Sequence, residues 1–79
     1  MKIRIKFNGD LAGKYAPGVE DGVTAVAIDD EPTVGNVFGL LRVDERDIGF
    51  IIRDDEKLQK DDALSDGDFI QIFPLVAGG

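Results

Sequence analysis

Residues 69–73, FIQIF, are the stretch that decides the fold. In a strand built from these residues, Ile70 and Ile72 lie on one face and Phe69 and Phe73 on the other, so the strand is apolar on both faces. A strand that is covered on both faces belongs near the centre of a sheet. We expect Ile70 and Ile72 to face the core, because the opposite orientation would bury Gln71 without a partner. The other elements must therefore be arranged around a central strand at the C-terminal end of the chain.

A second strand pattern lies at the other end of the chain, in residues 2–7, KIRIKF. Apolar and basic residues alternate there, the apolar row being Ile3, Ile5 and Phe7 and the basic row Lys2, Arg4 and Lys6. This alternation predicts a strand with one buried face. It favours a solvated sheet face for the basic row over a dedicated binding strip, because any half-buried strand shows the same pattern.

One helix pattern lies between these strands. Its apolar residues recur at i, i+3, i+4 and i+7, and they are Val34, Val37, Phe38 and Leu41. Thr33, just before them, is a suitable N-cap. Gly35 and Gly39 each cost a helix about 0.5–1 kcal/mol relative to alanine, so we expect both to allow close packing of the helix on a sheet.

Weaker signals complete the order of elements. We expect a helical turn capped by Asp10 that brings Leu11 near Tyr15, and two further strands at residues 23–28 and 49–53. The order of the main elements is then strand, strand, helix, strand, strand.

Residues 54–68 are a charged connector, which we expect to be pinned by Leu58 and Leu64. Its carboxylates invite a calcium interpretation, but an EF-hand loop begun at Asp62 would place apolar residues at two ligand positions. A tight turn around Gly67 into the last strand is the better interpretation.

This order of elements predicts the α+β class, because one helix covers only one face of the sheet. If the first and last strands pair in parallel at the centre, the helix belongs to a right-handed crossover between them. The result is the β-grasp, or ubiquitin-like, fold: a mixed sheet of four to five strands with one main helix packed on one face. We expect residues 1–79 to form a single domain, with residues 74–79 as a flexible C-terminal tail.

The composition limits the possible functions. The chain has no cysteine and no histidine, so it lacks thiolate chemistry and the commonest metal ligand and general base. We expect no metal site, no stably bound cofactor and no independent catalytic activity. The net charge of −7 disfavours nucleic acid and anionic membranes as partners and favours a basic protein surface. Without a long apolar run or a signal-like start, the chain is expected to be cytoplasmic.

The last residues, FPLVAGG (73–79), carry the strongest functional signal. Pro74 would stiffen the exit from the strand, and Gly78 and Gly79 would let the backbone lie flat in a narrow channel of another protein. Fully extended, residues 74–79 reach roughly 20 Å at about 3.3–3.6 Å per residue. The Gly79 carboxylate could therefore be activated as an acyl-adenylate inside an enzyme while the domain stays outside. The alternative is an idle terminus.

The sequence resembles the ubiquitin-like sulfur carriers of the MoaD/ThiS family. The resemblance rests on MKIRIKF (1–7), EPTVGNVFGLL (31–41) and, most specifically, LSDGDFIQIFPLVAGG (64–79). It covers nearly the whole chain, more loosely in residues 8–22 and 42–62. The chain length and the helical turn before the second strand look closer to MoaD, the small subunit of molybdopterin synthase, than to ThiS, the thiamine sulfur carrier.

Two positions depart from the pattern of the family. Many members carry a second proline where this chain has Leu75. An Asn-Gly turn is common after the third strand, where this chain has RDDEKL (53–58).

The resemblance implies a sulfur carrier that is adenylated at Gly79 by a ubiquitin-activating-type enzyme (MoeB- or ThiF-like) using ATP, and then converted to a thiocarboxylate. Gly78 would be its flat neighbour. The tail would enter a large synthase subunit (MoaE-like), or another acceptor enzyme, and donate sulfur in molybdopterin biosynthesis. The protein would then be a small subunit or co-substrate of a sulfurtransferase. The residues expected at the partner interface are Phe69, Phe73, Pro74, Leu75, Val76 and Ala77.

Three alternatives remain open. The chain could be a thiamine-type carrier, a ubiquitin-like modifier joined to lysines through Gly79, or an interaction module with an idle tail. For Phe69 and Phe73, the alternative to an interface is cover by residues 54–62.

Overall fold

The computed structural model describes residues 1–29 and 31–75 of the chain. Within these ranges a 3-10 turn, Glu45–Asp47, precedes the third of five strands. The other elements, in chain order, are β1 (Lys2–Phe7), α1 (Asp10–Tyr15), β2 (Val23–Ala27), α2 (Val34–Leu41), β3 (Ile48–Arg53), β4 (Glu56–Leu58) and β5 (Phe69–Pro74). Neither helix of the described part is long and apolar enough to cross a membrane.

The five strands form one mixed sheet in the order β2-β1-β5-β3-β4. β1 and β5 pair in parallel at its centre, and every other neighbouring pair is antiparallel. This is the predicted β-grasp topology, so the α+β class and the central position of the last strand are confirmed.

The core lies between the sheet and α2. Ile5 pairs with Ile70 and Phe7 with Ile72 across the central strands, and these four side chains are almost completely buried. The residues of α2 that pack over them are Val34, Val37 and Phe38, with Leu41 partly buried beside them. The inward orientation that the sequence predicted for β1, β5 and α2 is therefore confirmed.

Helix α2 begins where the sequence predicted. The Asn36 backbone N–H donates to Thr33 Oγ1 at 3.2 Å, and the Thr33 N–H donates to Asn36 Oδ1 at 2.9 Å. This reciprocal pair is a capping box with asparagine in the third position, and it satisfies two backbone donors at the helix start. The last helical residue is Leu41, and Arg42 is the C-cap, with a φ of 58°.

The expectation that two glycines of α2 allow close packing on the sheet is wrong. A Cβ on Gly39 would meet nothing within 4 Å. Gly35 does lie at a close contact, but with the connector: its N–H donates to the Lys60 carbonyl at 2.9 Å, and a Cβ would lie 3.0 Å from Lys60 Cγ. The apolar stripe faces the sheet, so a glycine off that stripe cannot contact it.

Helix α1 also differs in one detail from the expectation. Gly9 is its N-cap, with a φ of 60° and no side-chain hydrogen bond, and Asp10 is the first helical residue. Leu11 is buried, and the Tyr15 ring stacks on Phe7 with centroids 5.4 Å apart. The helical turn therefore exists as predicted, and it packs against the end of β1.

The charged connector contains the strand β4, which the sequence patterns did not predict. Arg53 and Glu56 are cross-strand partners, so only Asp54 and Asp55 form the turn between β3 and β4. Both have positive φ, 50° and 66°. This is the pattern of a type I′ hairpin turn, which Asn-Gly usually supplies.

The two leucines of the connector and its final turn follow the prediction. Leu58 and Leu64 are buried in the core. Gly67 has a φ of 86°, and the Asp68 N–H donates to the Ser65 carbonyl at 3.0 Å, which closes a turn into β5.

Pro74, assigned to the tail from the sequence, is instead the last residue of β5. It pairs with Ile48, while Phe73 pairs with Phe50, so Gly49 is an extra residue in β3 at a β-bulge. Proline lacks the N–H donor, but its fixed φ is compatible with extended backbone. A Cβ on Gly49 would lie 2.6 Å from the Pro74 carbonyl oxygen, so the bulge requires a residue without a side chain.

We expect Asp55→Gly to raise the free energy of unfolding by about 0.5–1 kcal/mol, because glycine adopts the positive φ without strain. Urea denaturation checks this, with Asp55→Ala as the control that should be less stable than the native protein. Equal stability of the glycine and alanine variants would contradict the assigned turn.

A pair of alanine substitutions tests the bulge. Gly49→Ala should lower the free energy of unfolding by about 1–3 kcal/mol, because its Cβ would overlap the Pro74 carbonyl. Gly39→Ala should raise it by about 0.5–1 kcal/mol, because that site is open and helical. Thermal and urea denaturation of both variants check the opposite signs, and a Gly49→Ala variant as stable as the native protein would show that the contact at Gly49 is wrong.

Candidate functional site at the root of the tail

The candidate site is the end of β5, where the chain leaves the sheet. We call Phe73, Pro74 and Leu75 the tail root. Leu75 is 61% exposed, and its backbone N–H donates to the Asp47 carbonyl at 3.0 Å. Of the other predicted site residues, Phe69 lies at the start of β5, whereas Val76, Ala77, Gly78 and Gly79 lie outside the described part of the chain.

Pro74 is held by two glycines. Its carbonyl lies against Gly49 at the β-bulge, as described above. Its ring lies against Gly9, where a Cβ would be 3.2 Å from Pro74 Cγ. Gly9 also has a positive φ of 60°, which favours glycine there for a second reason. These contacts fix the direction in which the chain leaves the sheet.

Asp47 connects the tail root to α1. One carboxylate oxygen, Oδ2, accepts from Lys14 Nζ at 2.6 Å and from the Tyr15 hydroxyl at 2.7 Å. The Tyr15 oxygen in turn accepts from the Asp44 backbone N–H at 2.9 Å. Since the Asp47 carbonyl holds Leu75, one residue links both helix α1 and the 3-10 turn to the exit of the tail.

These contacts change the acidity of the groups involved. The hydrogen bond from Lys14, followed by the one from Tyr15, lowers the pKa of Asp47 below its usual value. The same contact with Asp47 raises the pKa of Lys14. Next to it, hydrogen bonds from Arg46 lower the pKa of Asp44 to about 2. All these groups are solvated, so the ion pairs order the turn and add little stability.

An open cleft of about 320 Å³ lies beside the tail root. Its lining is Asp10, Leu11, Lys14, Arg46, Asp47, Pro74 and Leu75. Three of its four charged side chains are paired locally, because Lys14 pairs with Asp47 and Arg46 with Asp44. The cleft therefore lies beside the exit of the chain, and its lining combines mostly paired charges with apolar side chains.

Three acidic residues of the connector, Asp62, Asp66 and Asp68, each accept from a nearby donor. Asp62 accepts from the Gln59 N–H at 2.6 Å, and Asp66 from the Lys2 N–H at 2.6 Å. Asp68 pairs with Arg53 at 2.9 Å. In the described ranges no group of three or more acidic side chains is arranged to hold a metal ion.

Phe73 and Phe69 lie on the face of the sheet opposite α2, which we call the open face. Phe73 stacks on Phe50 with centroids 4.6 Å apart, and the Arg4 guanidinium lies 4.9 Å from the centroid of Phe69. Both predicted residues remain half-buried. The alternative that residues 54–62 cover them is not what is seen, since Lys57 of β4 lies over Phe50 instead, at 5.7 Å.

The predicted residues are only partly brought together. Phe73, Pro74 and Leu75 are consecutive at the tail root, whereas Phe69 begins the same strand, roughly 13 Å away at 3.3 Å per residue. Phe50, which is 40% exposed beside Phe73, was not predicted as a site residue. Its partner depends on the bulge at Gly49, and no local sequence pattern gave that register.

The lowered pKa of Asp47 predicts a pH-dependent effect. Its stabilising contribution is present above the ordinary aspartate pKa of 3.8 and is lost as the pH falls through the lower pKa of the folded protein. Asp47→Asn should therefore unfold at lower urea concentration than the native protein at pH 7, and the difference should shrink once the pH is brought below 3.8 towards the lower pKa of the folded protein. Glu20→Gln, in an exposed loop, is the control and should differ little at either pH. A difference for Asp47→Asn that does not change with pH would show that its hydrogen bonds do not require the charge.

Solved structures with the same fold span this chain from end to end. SAMP1 from Haloferax volcanii is 22% identical with a TM-score of 0.70, and all of each chain is covered. A putative molybdopterin converting factor subunit 1 from Pyrococcus furiosus is 20% identical with a TM-score of 0.74, over 96% of this chain and 99% of that one. In a Helicobacter pylori 26695 complex of molybdopterin-converting factor subunits 1 and 2, the similar chain is 19% identical with a TM-score of 0.62, and all of each chain is covered.

A search of curated protein sequences found no match. The sequence model of the ThiS family, by contrast, matches residues 5–79, which include the second half of β1, all of α2 and β5, the tail root and the Gly-Gly pair. Combined with a β-grasp sheet whose central strand leads into that pair, this match establishes that the chain belongs to the ThiS family.

Proposed function

We propose that this protein is a sulfur carrier that works through the carboxylate of Gly79. The carboxylate oxygen attacks the α-phosphorus of ATP in an activating enzyme, pyrophosphate leaves, and an acyl-adenylate forms. A sulfur nucleophile of the hydrosulfide class then attacks the carbonyl carbon, AMP leaves, and the product is a thiocarboxylate. The observation that carries the proposal is that the ThiS-family match continues through Gly79.

The geometry of the tail root supports a carrier in which the domain stays fixed while the end of the chain reacts in the enzyme. Pro74 lies between Gly9 and Gly49, and Leu75 is bound to Asp47, so the domain holds the chain firmly up to Leu75. Beyond Leu75, four residues span at most about 14 Å at 3.6 Å each. The activating enzyme supplies ATP and the catalytic groups, while this chain supplies the acyl group and the surface that the enzyme recognises.

For the acceptor, we propose the molybdopterin pathway. The P. furiosus neighbour is a putative molybdopterin converting factor subunit 1, and the H. pylori neighbour belongs to a complex of subunits 1 and 2 of that factor. By analogy, a large synthase subunit of the MoaE type would receive the tail and its sulfur. We also propose a cytoplasmic location, because the reaction requires ATP and a second protein.

Intact-mass measurement tests the proposed function. The chain is incubated with the MoeB- or ThiF-like activating enzyme of the same organism, ATP and sulfide, and pyrophosphate release is followed in parallel. We expect pyrophosphate release and a mass gain of one oxygen-to-sulfur exchange, both lost on deletion of Gly78 and Gly79. Unchanged mass, with an enzyme that is active on another carrier, would refute the proposal.

The acceptor is tested with the thiocarboxylated product. Sulfur should pass to a molybdopterin precursor in the presence of the MoaE-like subunit, and not to a thiazole precursor with thiazole synthase. The reverse result would identify a thiamine-type carrier.

A ubiquitin-like modifier is the second candidate. It is favoured by the likeness to SAMP1, because a second crystal structure from H. volcanii, of small archaeal modifier protein 1, is 21% identical with a TM-score of 0.72, over 95% of this chain and 98% of that one. Lysine adducts of Gly79 in cell extract, found by mass spectrometry of digested conjugates, would support this function. An interaction module with an idle tail would keep its partner function after deletion of Gly78 and Gly79.

A further inference from the structure

The basic residues of this acidic protein are unevenly distributed. Four of the nine cations lie on the open face or at its edge: Lys2, Arg4, Lys6 and Lys57. Among the described residues, the cations engaged in ion pairs are Lys14, Arg46, Arg53 and Lys60. The cations of the open face are therefore outside the internal ion pairs and remain available to a partner.

Acidic residues avoid the same face. In the described strands the one acidic residue is Glu56, and because it alternates with Lys57 along β4 its side chain projects to the other side. Asp66 lies at the rim, where its carboxylate accepts from the Lys2 backbone N–H. The open face is thus positive on a chain whose net charge is −7.

The centre of the open face is aromatic. Phe50 and Phe73 stack nearly parallel, at an interplanar angle of 15°, and Phe50 is 40% exposed. Arg4 lies over Phe69 and Lys57 over Phe50, so two of the four cations border an apolar ring. Aromatic residues with arginine at their edge are enriched where proteins form interfaces.

We propose that the open face docks an acidic surface with an apolar centre on the activating enzyme. This inference rests on the proposed function, which supplies the enzyme, and it specifies the chemistry of the contact. Two observations support it. The cations of the open face are outside internal ion pairs and call for an acidic partner, and Phe73 directly precedes Pro74 and Leu75 at the tail root. An enzyme that receives the tail then meets the open face at the same time. The partner surface is therefore acidic, the opposite of what the net charge alone suggests.

Matched charge reversals test the docking surface. The double variant Lys6→Glu with Lys57→Glu changes the open face, and Arg42→Glu with Lys60→Glu makes the same change in net charge elsewhere. Calorimetric titration of each into the activating enzyme measures the dissociation constant at low and high salt. We expect the face variant to bind at least about tenfold more weakly at low salt, with a smaller loss at high salt, and the control to bind like the native protein.

The aromatic centre needs a separate variant. Phe50→Ala should weaken binding by about tenfold at both salt concentrations, because it removes apolar contact and no charge. Thermal denaturation shows that each variant is folded. The chain lacking Gly78 and Gly79 should retain measurable binding, which separates docking of the face from insertion of the tail.

The outcomes distinguish this inference from the proposed function. If the native chain is adenylated and both double variants bind equally well, the docking surface is refuted and the sulfur-carrier function stands. If an active enzyme neither binds nor adenylates the native chain, both fail. Dimerisation of the native chain that the face variant abolishes, or binding of a single-stranded RNA oligonucleotide that depends on Lys6, would replace the acidic enzyme surface with another occupant.

Discussion

The parallel pairing of β1 with β5 is the constraint on which the structure depends. Ile5 lies opposite Ile70, and Phe7 opposite Ile72, with all four side chains in the core. Two parallel neighbours cannot be joined by a hairpin, so the intervening chain has to cross over the sheet, and α2 is part of that crossover. The same pairing places the end of β5 beside the end of β1, which is why Gly9 lies against Pro74.

Most of the architecture could be predicted because it is encoded in local patterns. β1 alternates apolar and basic residues, β5 is apolar on both faces, and α2 has an apolar stripe with Thr33 before it. β4 could not be predicted, because three residues with two charges carry no alternation. Its turn was hidden as well, since two aspartates adopt the positive φ that Asn-Gly usually provides. Nothing in the structure explains the glycine at position 39 in the middle of α2.

Site residues that are neighbours in the sequence could be predicted, whereas those brought to the site by strand pairing could not. Phe73, Pro74 and Leu75 are recognisable because they connect a strand to a Gly-Gly end. Asp47 and Phe50 become relevant only when β3 pairs with β5 through the bulge at Gly49. The positive charge of the open face could not be predicted either, because the net charge of the chain does not show on which face the basic residues collect. The basic row of β1 is solvated, as expected, and it gains significance from Lys57 and the phenylalanines beside it.

The position of β5 between β1 and β3 has a mechanical consequence. In the proposed reaction an enzyme draws the chain end inward, so the force would act along the axis of β5, and the backbone hydrogen bonds to both neighbours lie across that direction. Such bonds share the load and must break together, whereas the bonds of a strand peeled from an edge break one at a time. A domain of this construction can be pulled by its C-terminus without unfolding.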